Sequence, residues 1–131
     1  AEAGVSMNLK LRQNGNWEFE SGLQACRDIL KSGYPVKAIY AMNDLMALGA
    51  IRQIRDCGLQ VPDDIGVIGF DDSEYGWVSN PALTTVHVPL DEIGRESAAA
   101  LITKIEHGVL EKKRIFLECT LVERESYRRK Q

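Results

Sequence analysis

The chain has 131 residues, of which 44% are hydrophobic, 27% charged and 7% aromatic, and its formal net charge is −3. This composition is typical of one soluble globular unit and excludes collagen, coiled coil and disorder. No run reaches the roughly 18 to 20 apolar residues that a bilayer span needs, so we expect no membrane association. The negative net charge argues against direct binding to the phosphates of nucleic acid.

Cysteine and histidine are few, with three and two residues. Cys26, Cys57 and Cys119 are an odd number without metal-ligand spacing, so we expect reduced thiols in a cytoplasmic protein. His87 and His107 have no cysteine or carboxylate at ligand spacing either. The sequence therefore predicts no metal site and no cofactor.

The first half of the chain predicts a helix, a strand and a second helix. Apolar residues at helical spacing predict a helix over about 17 to 32, which ends at Gly33. The apolar run from 36 to 41 predicts a short buried strand. Asn43 then caps a helix that ends at Gly58.

The second half continues this alternation. A strand is predicted over 65 to 70, a long polar loop over 71 to 83 and a strand over 84 to 88. A third helix over about 90 to 107 precedes the last strand material, at 114 to 122. The alternation predicts an α/β fold, a parallel sheet with flanking helices, because parallel neighbours need a crossover connection.

The end of the chain is a charged tail from 124 to 131. Its basic residues alternate with polar ones, which is typical of a solvated end and favours that interpretation over a nucleic-acid arm. These basic residues are Arg124, Arg128, Arg129 and Lys130.

Polar side chains follow two of the predicted strands, and ligands of open α/β sheets bind at the carboxyl ends of strands. The first strand leads into Asn43-Asp44 and the second into Asp71-Asp72. Each also has a structural explanation. The helix cap is favoured for Asn43, and the helix dipole accounts for Asp44. For the Asp71-Asp72 pair, a binding role and an exposed turn stay equally open.

Trp17 lies nearly opposite the apolar stripe of the predicted first helix, so core packing of that helix does not explain a large aromatic residue there. A flat ring beside polar groups suits stacking on a sugar or base, and packing against the adjacent loop explains it equally well. The stripe consists of Phe19, Leu23, Cys26 and Leu30.

Three stretches carry a resemblance to a known family. They are 38 to 50 (Ala-Ile-Tyr-Ala-Met-Asn-Asp-Leu-Met-Ala-Leu-Gly-Ala), 61 to 72 (Val-Pro-Asp-Asp-Ile-Gly-Val-Ile-Gly-Phe-Asp-Asp) and 81 to 86 (Pro-Ala-Leu-Thr-Thr-Val). In this order and spacing they resemble the effector-binding domain of bacterial transcriptional regulators of the lactose-repressor (LacI/GalR) family. Gly94-Arg95 and the stretch from 121 to 126 fit the same family.

The resemblance implies a type I periplasmic-binding-protein fold, in which two Rossmann-like lobes hold a small effector, a sugar or nucleoside-like metabolite. Asn43 and Asp71 match family residues that hydrogen-bond the effector, and Trp17 matches the aromatic residue that lies against it. The family's dimer surface matches four further residues. These are Leu48, Arg52, Tyr75 and Trp77.

On this resemblance, residues 1 to 131 are expected to be the C-terminal portion of an effector-binding domain whose helix-turn-helix and first lobe are absent. We expect the segment from 84 to 110 to cross over and pack on that missing lobe. Its apolar stripe, Leu101, Ile102 and Ile105, would then be covered by another copy or left exposed.

The resemblance further implies a cytoplasmic homodimeric repressor that is not an enzyme and acts by allosteric rearrangement of its lobes. Operator DNA would be bound only through the missing N-terminal domain. Two alternatives stay open: a periplasmic solute-binding lobe, and a magnesium-dependent phosphoacceptor domain that uses Asp44, Asp71 and Asp72 as an acidic cluster. The sequence has no nucleophile elbow, P-loop or Gly-x-Gly-x-x-Gly motif after a strand.

Overall fold

The computed structural model of the chain describes residues 8–108 and 114–128. Four parts of the chain lie outside these ranges. They are residues 1–7, the last two residues of the predicted crossover segment 84–110, residues 111–113, and the tail beyond Arg128.

A four-stranded sheet forms the centre of the fold, in the order β1-β2-β3-β4. The strands are β1 (Ala38–Tyr40), β2 (Gly66–Asp71), β3 (Thr84–His87) and β4 (Thr120–Val122). The first three run parallel, and β4 is antiparallel to β3. The predicted parallel sheet is confirmed for three strands, and an antiparallel edge strand on such a sheet is common.

The helices are α1 (Phe19–Lys31), α2 (Asp44–Asp56), α3 (Glu74–Val78) and α4 (Leu90–His107), and a single 3-10 turn covers Leu9–Leu11. Three of the helices were predicted from the sequence. The polar segment that contains α3 was predicted as a loop, which was wrong for its five helical residues, because one short turn carries no periodic signal. No helix in the described ranges is both long and apolar enough to cross a bilayer.

Two strands are shorter than their apolar runs predict. β1 lies at the sheet edge and pairs only with β2, so its ladder covers three residues. β4 likewise begins at Thr120, and residues 114 to 119 precede it without regular structure. The predicted bounds of these two strands were therefore too wide, because apolar residues continue beyond the residues that pair in the sheet.

One face of the sheet is covered by α2, and α1 crosses α2 at very short range through two glycines. A Cβ atom on Gly49 would lie 2.1 Å from the carbonyl oxygen of Phe19, and one on Gly22 would lie 2.2 Å from that of Met46. This close crossing holds the start of α1 beside the start of α2. The core beneath it consists of Cys26, Ala47, Ala50, Ile51, Ile54, Ile65, Val67 and Leu83.

The C-terminal segment is fastened to the sheet by Ser126, which is fully buried. Its hydroxyl donates to the Val67 carbonyl at 2.6 Å and accepts from the Thr84 amide at 2.8 Å. The Val67 amide in turn donates to the Ser126 carbonyl at 2.8 Å. One serine thus joins the segment after β4 to both β2 and β3.

Helix α4 has no buried residue, in contrast to α2. Its apolar side chains Leu101, Ile102 and Ile105 are all exposed. The helix ends at Gly108, whose φ of 73° places it in the left-handed region that glycine adopts without strain.

The α1/α2 crossing gives a direct stability test. We expect Gly49→Ala to lower the free energy of unfolding by about 1 to 3 kcal/mol, because the new methyl group meets backbone atoms that cannot rotate away. Gly94→Ala is the matched control, since a Cβ there meets nothing within 4 Å. It should stabilise α4 by up to about 1 kcal/mol through helix propensity. Urea unfolding checks both, and equal midpoints for the two variants would contradict the crossing.

Candidate functional site

Asn43 lies at the carboxyl end of β1 and caps α2. Its side-chain oxygen accepts from the Met46 amide at 2.9 Å, which confirms the predicted cap. Its side-chain nitrogen also donates to the carbonyl oxygen of Trp17 at 2.8 Å, across 26 residues of sequence. The two bonds leave one N–H and one lone pair of the amide for a further partner.

Trp17 is held by that bond at the same edge of the sheet. The prediction that Trp17 belongs to the first helix was wrong, because α1 begins at Phe19. The helical-wheel position inferred for Trp17 therefore does not apply. Trp17 is 59% exposed and has a φ of 73°. A bulky residue in this left-handed region is strained by about 1 to 3 kcal/mol. Neither the core nor the first helix explains where this side chain lies.

Asp44 is the buried anchor of this edge, with 1% of its surface exposed. One carboxylate oxygen accepts from the amide and hydroxyl of Ser73 at 2.7 and 2.9 Å, and the other accepts from the Thr85 hydroxyl at 2.6 Å. A Cβ atom on Gly69 would lie 2.4 Å from Asp44 Oδ1, so glycine is needed there. Asp44 therefore joins α2 to β3 and to the loop after β2.

Asp71 ends β2 in an exposed position with a φ of 109°. Partial burial, followed by the negative charge of Asp44, raises the pKa of its carboxyl. Asp71 thus has a strained backbone conformation, and its surroundings disfavour the charged form of its carboxyl group. Residues held in this way concentrate at functional sites.

Asp72 forms a cluster with Arg124 and His87 that the sequence did not predict. Arg124 Nη2 donates to Asp72 Oδ1 at 2.5 Å, and His87 Nδ1 lies 3.0 Å from Asp72 Oδ2. Burial tends to raise the pKa of Asp72, but hydrogen bonds from Arg124 and His87 outweigh it and lower the pKa. The interpretation of Arg124 as part of a solvated tail was wrong, because it is largely buried. Arg128 is exposed, with Asp63 at 3.8 Å.

These contacts define a rim at the carboxyl ends of β1, β2 and β3, formed by Trp17, Asn43, Asp71 and His87. Trp17 and Asn43 are hydrogen-bonded, and Asp71 and His87 are direct partners in the β2/β3 ladder. The charge of Asp44, next to Asn43 in sequence, reaches Asp71. The sequence predicted three of the four residues and missed His87, since no spacing pattern marks a single histidine in a strand.

The three aspartates do not form a shared acidic cluster. The carboxylate of Asp44 accepts hydrogen bonds from hydroxyl and amide donors. The carboxylate of Asp72 is bound by the guanidinium of Arg124 and the imidazole of His87. Within the described ranges, no group of three or more His, Cys, Asp or Glu residues is arranged to hold a metal ion. This geometry argues against the magnesium-dependent alternative.

The four residues matched to a dimer surface lie on α2 and α3, and together we call them the α2/α3 surface. Leu48 is half-buried, and Arg52 is exposed and pairs with Asp56 at 2.9 Å. Tyr75 is 54% and Trp77 64% exposed. Arg55 donates to the Asn80 carbonyl at 2.8 Å and so fixes α2 against the α3 segment.

A groove of about 570 Å³ lies away from the rim, at the other ends of α1 and α2. Its neighbour Cys26 is buried, which raises the pKa of the thiol to about 12, with a smaller contribution from Cys57. A thiol with this pKa is not a nucleophile near neutral pH. The groove is lined by Arg27, Leu30, Lys31, Gln53, Cys57 and Leu59.

Comparison with known proteins agrees with this architecture. Residues 2–127 match the family of periplasmic binding protein-like domains. The HTH-type transcriptional regulator CelR of Thermobifida fusca is 37% identical over 95% of this chain, which covers 36% of CelR. The ribose operon repressor of Escherichia coli K12 is also 37% identical over 95% of the chain, which covers 38% of that repressor.

Solved structures give the same result. A transcriptional regulator CelR–cellobiose complex superposes with a TM-score of 0.91 at 36% identity, over 96% of this chain and 38% of the other. The lac repressor dimer bound to operator and the anti-inducer ONPF superposes with a TM-score of 0.80 at 36% identity, over 86% and 34%. The chain thus spans little more than a third of the length of these four relatives.

The fold, the family match and the relatives agree, and the expected resemblance is confirmed. The chain belongs to the periplasmic binding protein-like domain family, and its relatives are transcriptional regulators and repressors, among them a sugar-binding regulator of the LacI family.

Proposed function

We propose that this chain is the effector-binding and dimerisation part of a transcriptional repressor, and that its rim binds a sugar. The observation that carries this proposal is that Trp17, Asn43 and Asp71, although far apart in sequence, lie at the edge of the sheet where the parallel strands β1 and β2 end. The positive φ angles of Trp17 and Asp71 support it, because strained residues of this kind concentrate at functional sites.

The chemistry of the rim favours a ligand rich in hydroxyl groups. A carboxylate accepts hydrogen bonds only, and the Asn43 amide retains one donor and one acceptor. Hydroxyls supply the donors that Asp71 needs, whereas an anionic ligand would be repelled by Asp71 and Asp44. The exposed Trp17 ring suits the apolar face of a sugar ring. Cellobiose in the CelR complex and the name of the ribose operon repressor make these two sugars the first probes.

The remainder of the binding site would come from a second lobe of the whole protein. The expected crossover segment began at residue 84, but Thr84–His87 form β3 inside this sheet, so on this proposal the chain crosses to that lobe only after β3. The exposed stripe of α4 then packs against the second lobe. Effector in the cleft would favour one arrangement of the lobes and thereby change the DNA-binding geometry. Operator contact through a separate N-terminal domain is consistent with this chain's net charge of −3.

The same proposal places the protein in the cytoplasm, where a repressor meets its operator, and gives it no enzymatic role. We further propose that the α2/α3 surface forms a homodimer. Its two exposed aromatic residues support this, since aromatic side chains are enriched in interfaces. The lac repressor structure that superposes on this chain is a dimer.

Sugar binding can be tested with the isolated chain by two-dimensional ¹H–¹⁵N NMR titration. We expect cellobiose or D-ribose to shift the amide signals around Trp17, Asn43 and Asp71, and Trp17→Ala to weaken that binding about tenfold or more through lost stacking. Trp77→Ala removes an equally exposed tryptophan away from the rim and should leave the affinity unchanged. Equal losses for both variants would contradict the site.

Asp71 and Asp72 should have opposite effects on stability. The pKa of Asp71 is raised, so its negative charge opposes folding once the pH is high enough to ionise the carboxyl group. Asp71→Asn should therefore stabilise the chain at pH 7, and it should also abolish sugar binding. The pKa of Asp72 is lowered, so its charge favours folding above the ordinary carboxyl value of about 3.9 and this is lost as the pH falls further. Asp72→Asn should therefore destabilise the chain at pH 7.

Urea unfolding of both variants at neutral and acidic pH measures this difference. The two midpoints should lie on opposite sides of the wild-type midpoint at pH 7 and move toward it in acid. A destabilised Asp71→Asn variant at pH 7 would show that Asp71 serves the fold instead.

The dimer surface predicts an oligomeric state. Sedimentation velocity should show dimers at micromolar concentration, and Trp77→Asp should convert them to monomers because a buried unpaired charge is costly. The double substitution Leu101→Ser with Ile105→Ser is the control, because it makes α4 polar and leaves the α2/α3 surface intact. Dimers that persist in Trp77→Asp and dissociate in the control would assign the interface to α4.

A further inference from the structure

We infer that His87 is a further effector-contacting residue, whose Nε2 atom accepts a hydroxyl hydrogen, and that Asp72 positions it; this rests on the proposed function of the rim. His87 is the last residue of β3, and its ladder partner is Asp71. Alternate residues of a strand share a face, so His87 lies on the face of Thr85, whose hydroxyl reaches Asp44. The imidazole is therefore beside Asp71, at the same level of the sheet.

The contact with Asp72 sets the orientation of the ring. A carboxylate can only accept, so the 3.0 Å contact between His87 Nδ1 and Asp72 Oδ2 requires the proton on Nδ1. The neutral ring then carries an acceptor at Nε2. In residues 8–108 and 114–128, Nε2 makes no hydrogen bond, and the side chain is 48% exposed.

Asp72 is itself fixed from the opposite side. Its other oxygen accepts from Arg124 Nη2, and Arg124 Nη1 donates to the Leu83 carbonyl at 2.8 Å. Both Asp72 and Arg124 have less than a fifth of their side-chain surface exposed. In this chain of contacts from the interior to the rim, both carboxylate oxygens of Asp72 are engaged, and His87 Nε2 is the free end. Metal-binding histidines are oriented in the same way, by a carboxylate that accepts from the far ring nitrogen.

The spacing suits the ligand class already proposed. Neighbouring strands lie about 4.8 Å apart, so Asp71 and His87 place two acceptors side by side. Two adjacent hydroxyl groups of a sugar can each donate to one of them. An uncharged acceptor at this position also avoids a third negative charge beside Asp71 and Asp44.

Two substitutions separate contact with the ligand from a purely structural role. His87→Asn keeps a donor in the place of Nδ1 toward Asp72 but cannot reach the position of Nε2. His87→Gln places an amide near Nε2 and loses the donor toward Asp72. We expect His87→Asn to weaken cellobiose or D-ribose binding about tenfold, and His87→Gln to restore part of the affinity, because a neutral hydrogen bond has about that value.

A structural role for His87 predicts the reverse order, with His87→Asn close to wild type and His87→Gln impaired in stability and binding. NMR titration gives both affinities, and urea unfolding shows whether each variant is folded. The His87 tautomer provides a readout without ligand: long-range ¹H–¹⁵N spectra of the neutral ring should show the proton on Nδ1 and its transfer to Nε2 in Asp72→Asn.

The outcomes distinguish this inference from the proposed function. Sugar binding that depends on Trp17 but is unchanged in His87→Asn overturns the role of His87 and leaves the proposed function standing. A wild-type ring protonated on Nε2 overturns the positioning role of Asp72. If neither sugar shifts any rim signal in the wild-type chain, the proposed function fails and the inference fails with it.

Discussion

The structure depends on one buried carboxylate. Asp44 begins α2, and its three hydrogen bonds reach Ser73 in the loop after β2 and Thr85 in β3. Burial of an aspartate is tolerated because these donors, together with the N-terminus of α2, replace its water shell. The loops that carry Asn43, Asp71 and Asp72 are therefore fixed to one point. The hydrogen bonds of Asp44 therefore position the residues of the rim.

The buried charge of Asp44 also affects two residues of β2. Its charge, added to partial burial, raises the pKa of Asp71, and the close approach of Asp44 to β2 requires glycine at position 69. Asp71 and Trp17 are both held in left-handed backbone conformations. The fold thus holds two strained residues at the edge where ligands of α/β sheets bind. Strain of this kind lowers stability and is typical of binding sites.

The sequence predicted the elements whose signals are local. Helical spacing located α1, α2 and α4, and short apolar runs located the strands to within a few residues. Asn43 was predicted as a cap from its position alone, and the strand-end rule selected Asp71. The partners of these residues could not be predicted, since the contact between Asp72 and Arg124 spans 52 residues and depends on the register of the sheet. For the same reason His87 gave no signal until its ladder partner was known.

The central claim is that the rim formed by Trp17, Asn43, Asp71 and His87 binds a sugar. With Trp77 replaced by phenylalanine, the indole of Trp17 is the only one left among the chain's two tryptophans. Intermolecular nuclear Overhauser effects between cellobiose protons and that indole, with a shift of the Asn43 side-chain amide, are the predicted result. Overhauser effects to Leu30 and Leu59 in the distant groove instead would contradict the claim.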